Sequence, residues 1–202
     1  MKIMISLTTC ALLVLAVTLF ADSPEMTEAE KQQKMMQLMR LAQPGPEHER
    51  LASLAGEWQL SNKAWMQPGE PLTSEGTGTA EMILGGRFLK ITNESTVMGQ
   101  QYTGLSIIGF DRRHEEYTIV AYDNTGTYYV AARGKMEDDG KTIRMYGEDV
   151  DPIFGFTQKY DMVLTLVDNN TFVFEIIFKN PEMTFGQEEF KMVEVTNTRV
   201  VE

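Results

Sequence analysis

The side chains able to do chemistry are few and scattered. The two histidines, His48 and His114, lie far apart and lack the short ligand spacing of a metal site. The only cysteine is Cys10, and no Gly-x-Ser-x-Gly elbow presents a nucleophile. Gly76-Thr77-Gly78 and Gly85-Gly86 lack the lysine and following helix of a phosphate loop. Asp138-Asp139 and Asp149-x-Asp151 lack the loop and bidentate glutamate of a calcium site, and read as solvated turns. The sequence therefore calls for no metal and no cofactor. His114, in the link Asp111-Arg112-Arg113-His114-Glu115, reads as part of a charged hairpin tip. His48, in the first turn of a short helix, reads as a capping or packing residue.

Polar residues in phase with apolar ones are more informative. Arg87 shares a face with Leu89 and Ile91, which turns it inward if that face is buried. A buried guanidinium needs a carboxylate or a ligand anion beside it. Glu81 is in phase with Thr79 and Ile83, and Tyr122 with Thr118 and Val120. Trp58 shares a face with Leu60 at the start of the first candidate strand. There a tryptophan serves more often as a floor plug than as a ligand contact. With Asp123 and His48, these residues form the candidate ligand-binding set: Arg87, Trp58, Tyr122, Glu81, Asp123 and His48.

Residues ahead of the fold carry an export signal. Met1-Lys2 is a short positive start, residues 3 to 20 are apolar or small, and Ala21 precedes the acidic Asp22-Ser23-Pro24-Glu25. That order is a secretory signal peptide, residues 1–21, placing the mature protein outside the cytoplasm, secreted or periplasmic. Ser6, Thr8, Thr9 and Thr18 within the run favour cleavage over a permanent anchor, leaving no stable membrane span. Cleavage removes Cys10, so no disulfide can form and stability rests on burial. It also removes Lys2 and no acid, taking the formal net charge from −11 to −12. So acidic a chain is a poor partner for nucleic acid or an anionic bilayer surface.

The elements that must position the candidates follow from spacing. Residues 22–45 form a helical leader, with a capping box at Thr27-Glu28-Ala29-Glu30 and an apolar stripe of Met35, Met36, Leu38 and Met39. Pro44 ends it, Pro46 opens a second short helix, and Gly56 is the expected stop. From Glu57 the period changes to two. Ten candidate strands run over 57–66, 77–84, 87–98, 101–110, 116–123, 127–135, 141–149, 157–167, 171–180 and 187–200, separated by turn residues such as Gly85-Gly86, Met98-Gly99 and Asp138-Asp139-Gly140. Tyr160, Met162, Leu164 and Leu166 face one way, as do Phe172, Phe174, Ile176 and Phe178. Ten short strands with one apolar face each predict an all-β, single antiparallel up-and-down barrel over 46–202, closed because closure removes exposed edges.

The residues also resemble a known family. His48-x-x-Leu51-x-x-Leu54-Ala55-Gly56-x-Trp58, Trp65-Met66-x-Pro68-Gly69 and Met82-Ile83-Leu84-Gly85-Gly86-Arg87-Phe88-Leu89 carry the likeness. Gly104, Gly109-Phe110-Asp111 with Tyr117, Asp123 with Gly126, Asp151-Pro152 with Gly155, and Glu189-Phe190-Lys191-Met192 through Thr198-Arg199 extend it over residues 46 to 200. This pattern is similar to the domain-of-unknown-function family numbered 1579, mostly bacterial and grouped with lipocalin-like barrels. Phe110, where the family usually has tyrosine, and Phe154 in the Asp-Pro turn depart from it. The resemblance implies the barrel, and places His48, Trp58, Arg87, Asp111 and Asp123 in a shared pattern, but brings no reaction.

Three functions fit these features. The first is a binding module holding a small, mainly apolar or carboxylate-bearing ligand in the barrel, anchored by Arg87, Tyr122 and Trp58. The second is an enzyme in the same cavity, with Glu81 or Asp123 as base and Arg87 as electrophile. The third is a packed barrel that binds partners through its methionine-rich leader. An open interior separates the first two from the third.

Overall fold

The computed structural model describes residues 26–153 and 155–201. The signal segment, the start of the leader and Phe154 lie outside the described residues. The chain divides at Gln43/Pro44 into two units. The first contains helix α1 (Glu28–Leu41), which opens on the expected capping box: Thr27 Oγ1 accepts from the Glu30 N–H, and the Glu30 carboxylate accepts from the Thr27 N–H at 2.7 Å. None of its residues is buried.

The second unit starts with α2 (Pro46–Ala52), with Pro46 at its first turn. The helix stops earlier than its glycine suggests. Ser53 is its C-cap, and Gly56 is instead the first residue of a strand, at φ +140°. Ten strands follow: β1 (Gly56–Ala64), β2 (Leu72–Ile83), β3 (Phe88–Val97), β4 (Gln100–Asp111), β5 (Glu116–Asp123), β6 (Val130–Met136), β7 (Thr142–Val150), β8 (Thr157–Asp168), β9 (Thr171–Phe178) and β10 (Phe190–Arg199). Each pairs antiparallel with its neighbours in sequence, and β1 pairs with β10, from Trp58↔Arg199 to Ala64↔Val193, closing the barrel.

Strand β10 starts at Phe190 rather than 187, and two further departures from the sequence reading have identifiable reasons. Strand β2 begins five residues early, at Leu72, and its first part pairs with β1 from Ala64↔Leu72 to Leu60↔Gly76. Its inward positions there are Leu72, Ser74 and Gly76, so a single apolar residue and no apolar alternation marks it. Strand β6 starts at Val130 rather than 127, because Thr127, Tyr128 and Tyr129 belong to the loop. A Cβ on Gly126 would lie 2.7 Å from the Tyr128 ring, so glycine is what lets that ring fold back.

Register divides inside from outside. Residues directly paired across a ladder share a face, so Leu60, Leu89, Ile91, Ile108, Ile119, Met145, Met162, Leu164 and Phe172 fill one buried core. The late alternation holds: Tyr160 to Leu166 and Phe172 to Phe178 point inward on β8 and β9. Asp161 lies on the outer face, yet is buried under Arg144 at 2.8 Å and Lys179 at 3.3 Å.

Candidate ligand site

The two ends of the barrel are built differently. At one end α2 and the residues after it cover the opening, with Leu51 and Leu54 buried in the core. Trp58 is the centre of this floor. It is 2% exposed, its indole N–H donates to the Leu54 carbonyl at 3.0 Å, and its ring meets Phe172 edge-on at 4.6 Å. The guanidinium of Arg199 lies 4.3 Å from the same ring. It also donates to Ala55 O at 2.8 Å, Ser53 O at 2.7 Å and Asn169 O at 3.2 Å. One of these carbonyls, Ser53 O, belongs to the C-cap of α2, where the helix leaves acceptors unfilled. A Cβ on Gly56 would stand 2.5 Å from Arg199 Nη1, so only glycine admits this clamp.

His48 belongs to the same end. It is buried, its Nδ1 accepts from the Gly45 N–H at 3.1 Å, and its ring packs edge-on to Phe110. A donor at Nδ1 places the ring proton on Nε2. Burial, reinforced by the nearby charges of Arg112 and Arg87, pushes its pKa below the ordinary value, although Glu47 opposes this. His48 is thus a capping histidine. Beside it, Asp111 accepts from Arg113 and His114, and the Arg113 guanidinium above all holds its carboxyl well below the usual range. Arg87, expected on a strand, lies in the β2–β3 turn; its Nη1 donates to Leu84 O and Gly85 O at 3.4 Å. A shallow surface groove of about 400 Å³ runs outside this end, lined by Pro46, Glu47, Arg50, Phe110 and Tyr117.

Above the floor the interior changes character. Asn93, Ser95, Tyr102, Ser106 and Ala121 face inward by register, from Ile91↔Ser106 and Ser106↔Ala121 to Asn93↔Gly104 and Ser95↔Tyr102. On the opposite wall Phe174, Ile176 and Val195 face inward, through Met162↔Ile176 and Phe174↔Val195. All eight are only half-buried, although Leu60, Met145 and Met162 beneath them are sealed. Inward side chains that still meet solvent line space open at the mouth. One wall is polar or small, the other apolar.

The Asn93 side chain carries the sharpest feature of this wall. Its Oδ1 is buried and accepts no hydrogen bond. Gly78, its ladder partner, makes the room: a Cβ there would lie 2.8 Å from that oxygen. A glycan on the Asn93-Glu94-Ser95 sequon would have to thread the barrel mouth.

The remaining candidates lie elsewhere. Glu81 is on the outer face, exposed, and paired with Lys90 at 2.6 Å. Tyr122 is also outside, 46% exposed and beside Tyr129. Asp123 faces the mouth at the top of β5, where it accepts from the Thr125 N–H at 2.8 Å and from the Thr125 hydroxyl. Its charge adds to the burial that raises the pKa of Tyr102. The six candidates therefore do not converge: three gather at the closed end, two stand on the outer face, and one reaches the mouth. Asn93 and Ser106 were overlooked, although the phase that singled out Arg87 runs forward from Leu89 and Ile91 to Asn93.

Among the described residues no group of His, Cys, Asp and Glu could hold a metal ion, and no helix is long and apolar enough to cross a membrane.

Comparison with known proteins now decides the family. The family described as "Protein of unknown function (DUF1579)" matches residues 43–199. The chain belongs to that family. No curated protein matches it. Among solved structures, Rv2717c from M. tuberculosis is 13% identical, with a TM-score of 0.55, covering 79% of this chain and 100% of its own. At that identity the likeness concerns the fold alone. A redesigned beta barrel is 16% identical, covers 75% of this chain and 95% of its own, and has a TM-score of 0.38.

Proposed function

We propose that this member of the family is an exported binding module that takes a small, mainly apolar ligand into the open half of its barrel. The observation that carries this reading is the half-buried inward ring above a sealed floor. A barrel built only for packing would bury Ser106, Ala121, Ile176 and Val195 as completely as it buries Met145 and Met162. Apolar walls with a few polar groups suit a small ligand. Export rests on the first 21 residues and on a mature chain without cysteine.

The catalytic alternative needs a carboxylate beside Arg87. Glu81 is turned outward onto Lys90, and Asp123 stands at the end of the barrel opposite Arg87, so the three groups do not meet.

Native mass spectrometry of protein purified from its own host tests the binding reading. The expected result is a reproducible added mass on the wild type, lost in Ser106→Leu, which fills the space at mid-height while the protein stays folded. Bare wild-type protein would overturn it. N-terminal sequencing of the exported form should begin at Asp22.

A further inference from the structure

We infer that the groove outside the closed end, between α2 and the rim of β4 to β6, is a second binding site, for a free amino acid with an apolar side chain. Tyr117 on β5 lines this groove. The residue is 2% exposed, and its ring packs against Phe110 at 4.8 Å. Unlike the sealed oxygens of Asn93 and Thr184, its hydroxyl is reached by solvent, and it has no hydrogen-bond partner among the described residues. A tyrosine buried this far usually finds one. The charges of Arg50 and Glu47 both act on this hydroxyl, which sets it beneath α2. Burial raises its pKa, against the pull of Arg50, so near neutral pH it keeps its proton and can donate to an incoming acceptor.

The charges that line the groove are sorted by sign. Arg50 reaches toward the β6–β7 link, where its Nη1 donates to Gly140 O at 2.7 Å, and Lys135 stands on β6. Glu115 lies on the other side, in the β4–β5 link, and Glu47 precedes His48, whose ring packs on Phe110 of β4. None of these four charges forms an ion pair among the described residues. A plain carboxylate would gain the two cations but face the two acids, and a plain amine the reverse. A zwitterion suits both sides. Its carboxylate accepts from the Tyr117 hydroxyl and from the N–H groups of Arg50 not turned to Gly140. Its ammonium group then faces Glu115 and Glu47. Phe110 and Met136, both half-buried, offer apolar surface to its side chain. A volume of about 400 Å³ suits a ligand of that size.

Titration of the isotope-labelled protein with L-leucine, L-methionine and L-phenylalanine at about pH 7, followed by backbone amide NMR shifts, tests this, since both charges of an amino acid stand there. At least one of the three should give saturable shifts centred on α2, the β4–β5 link and the end of β6. Leucinamide, which lacks the carboxylate, and 4-methylpentanoate, which lacks the ammonium group, should bind about tenfold or more weaker than leucine, the loss of one charge-assisted contact. Tyr117→Phe removes only the hydroxyl and should weaken the amino acid by about tenfold. Arg50→Gln, at an exposed position, should weaken it at least as much. No saturable shift with any of the three amino acids would overturn the inference, as would equal binding of 4-methylpentanoate or of leucinamide. Equal affinity of wild type and Tyr117→Phe would overturn it too. Shifts centred on the open half of the barrel would also overturn it, while leaving the half-barrel reading standing. The wild-type series and Arg50→Gln decide the matter even if Tyr117→Phe misfolds.

Discussion

The closed and open ends of this barrel use the same strands for opposite purposes. At the closed end every buried polar group has a partner: the Trp58 indole on Leu54, the Arg199 guanidinium on three carbonyls, His48 on Gly45. Its hairpins carry mostly charge, in Arg112-Arg113-His114, Asp138-Asp139 and Asp168, with Leu84 as the apolar exception. At the open end a buried acceptor is left unpaired, and each of the five loops exposes a large apolar residue: Met66, Met98, Tyr128, Ile153 and Phe185. Polar groups satisfied by the protein itself make a floor.

The contrast can be broken most forcefully at Trp58. Trp58→Ala should cost about 3–5 kcal/mol in denaturant unfolding, because it opens a cavity and strips partners from Leu54 O and Arg199. A loss below about 1 kcal/mol would mean that the floor is not the stability centre.

His48 supplies a smaller effect with a defined sign. Its folded pKa lies below the unfolded one, so as pH falls the unfolded chain takes up the proton first. The stability it contributes is present above the unfolded value of about 6.5 and is lost as pH falls from there toward the folded pKa. His48→Gln should lower stability by about 1 kcal/mol near neutrality. It should also flatten the fall between wild-type and variant unfolding curves on acidification. Parallel curves would show that the histidine titrates alike in both states.

The open end should yield the mildest effect, of opposite sign. Met98 is held at φ +51°, ahead of Gly99 at φ +78°, in a two-residue hairpin turn where asparagine is the favoured residue. Met98→Asn should stabilise by about 0.5–1 kcal/mol, seen as a higher unfolding midpoint, because asparagine tolerates that conformation better. Destabilisation would reveal that the methionine has a packing role despite its exposure.

Much of this architecture is local chemistry. The capping box at Thr27 and Glu30, the proline start of α2, and the alternation of Tyr160 to Leu166 and Phe172 to Phe178 depend on residues a few positions apart, and the structure has each as read. The front of β2 was illegible because Ser74 and Gly76, inward after Leu72, break the apolar pattern. The candidate site was harder to read for the same reason: at a ligand wall the polar residues stand where a core would put apolar ones.

The sequence by itself determined the number and order of the strands, the apolar inward faces of β8 and β9, and the helix starts, because a period of two and a cap are properties of neighbouring residues. Only the tertiary structure decided height along the barrel. That quantity is set by register, accumulated strand by strand until β10 meets β1. It sends Arg87 and His48 to the floor, Asp123 to the mouth, and Glu81 and Tyr122 to the outside. It brings Arg199 onto Trp58.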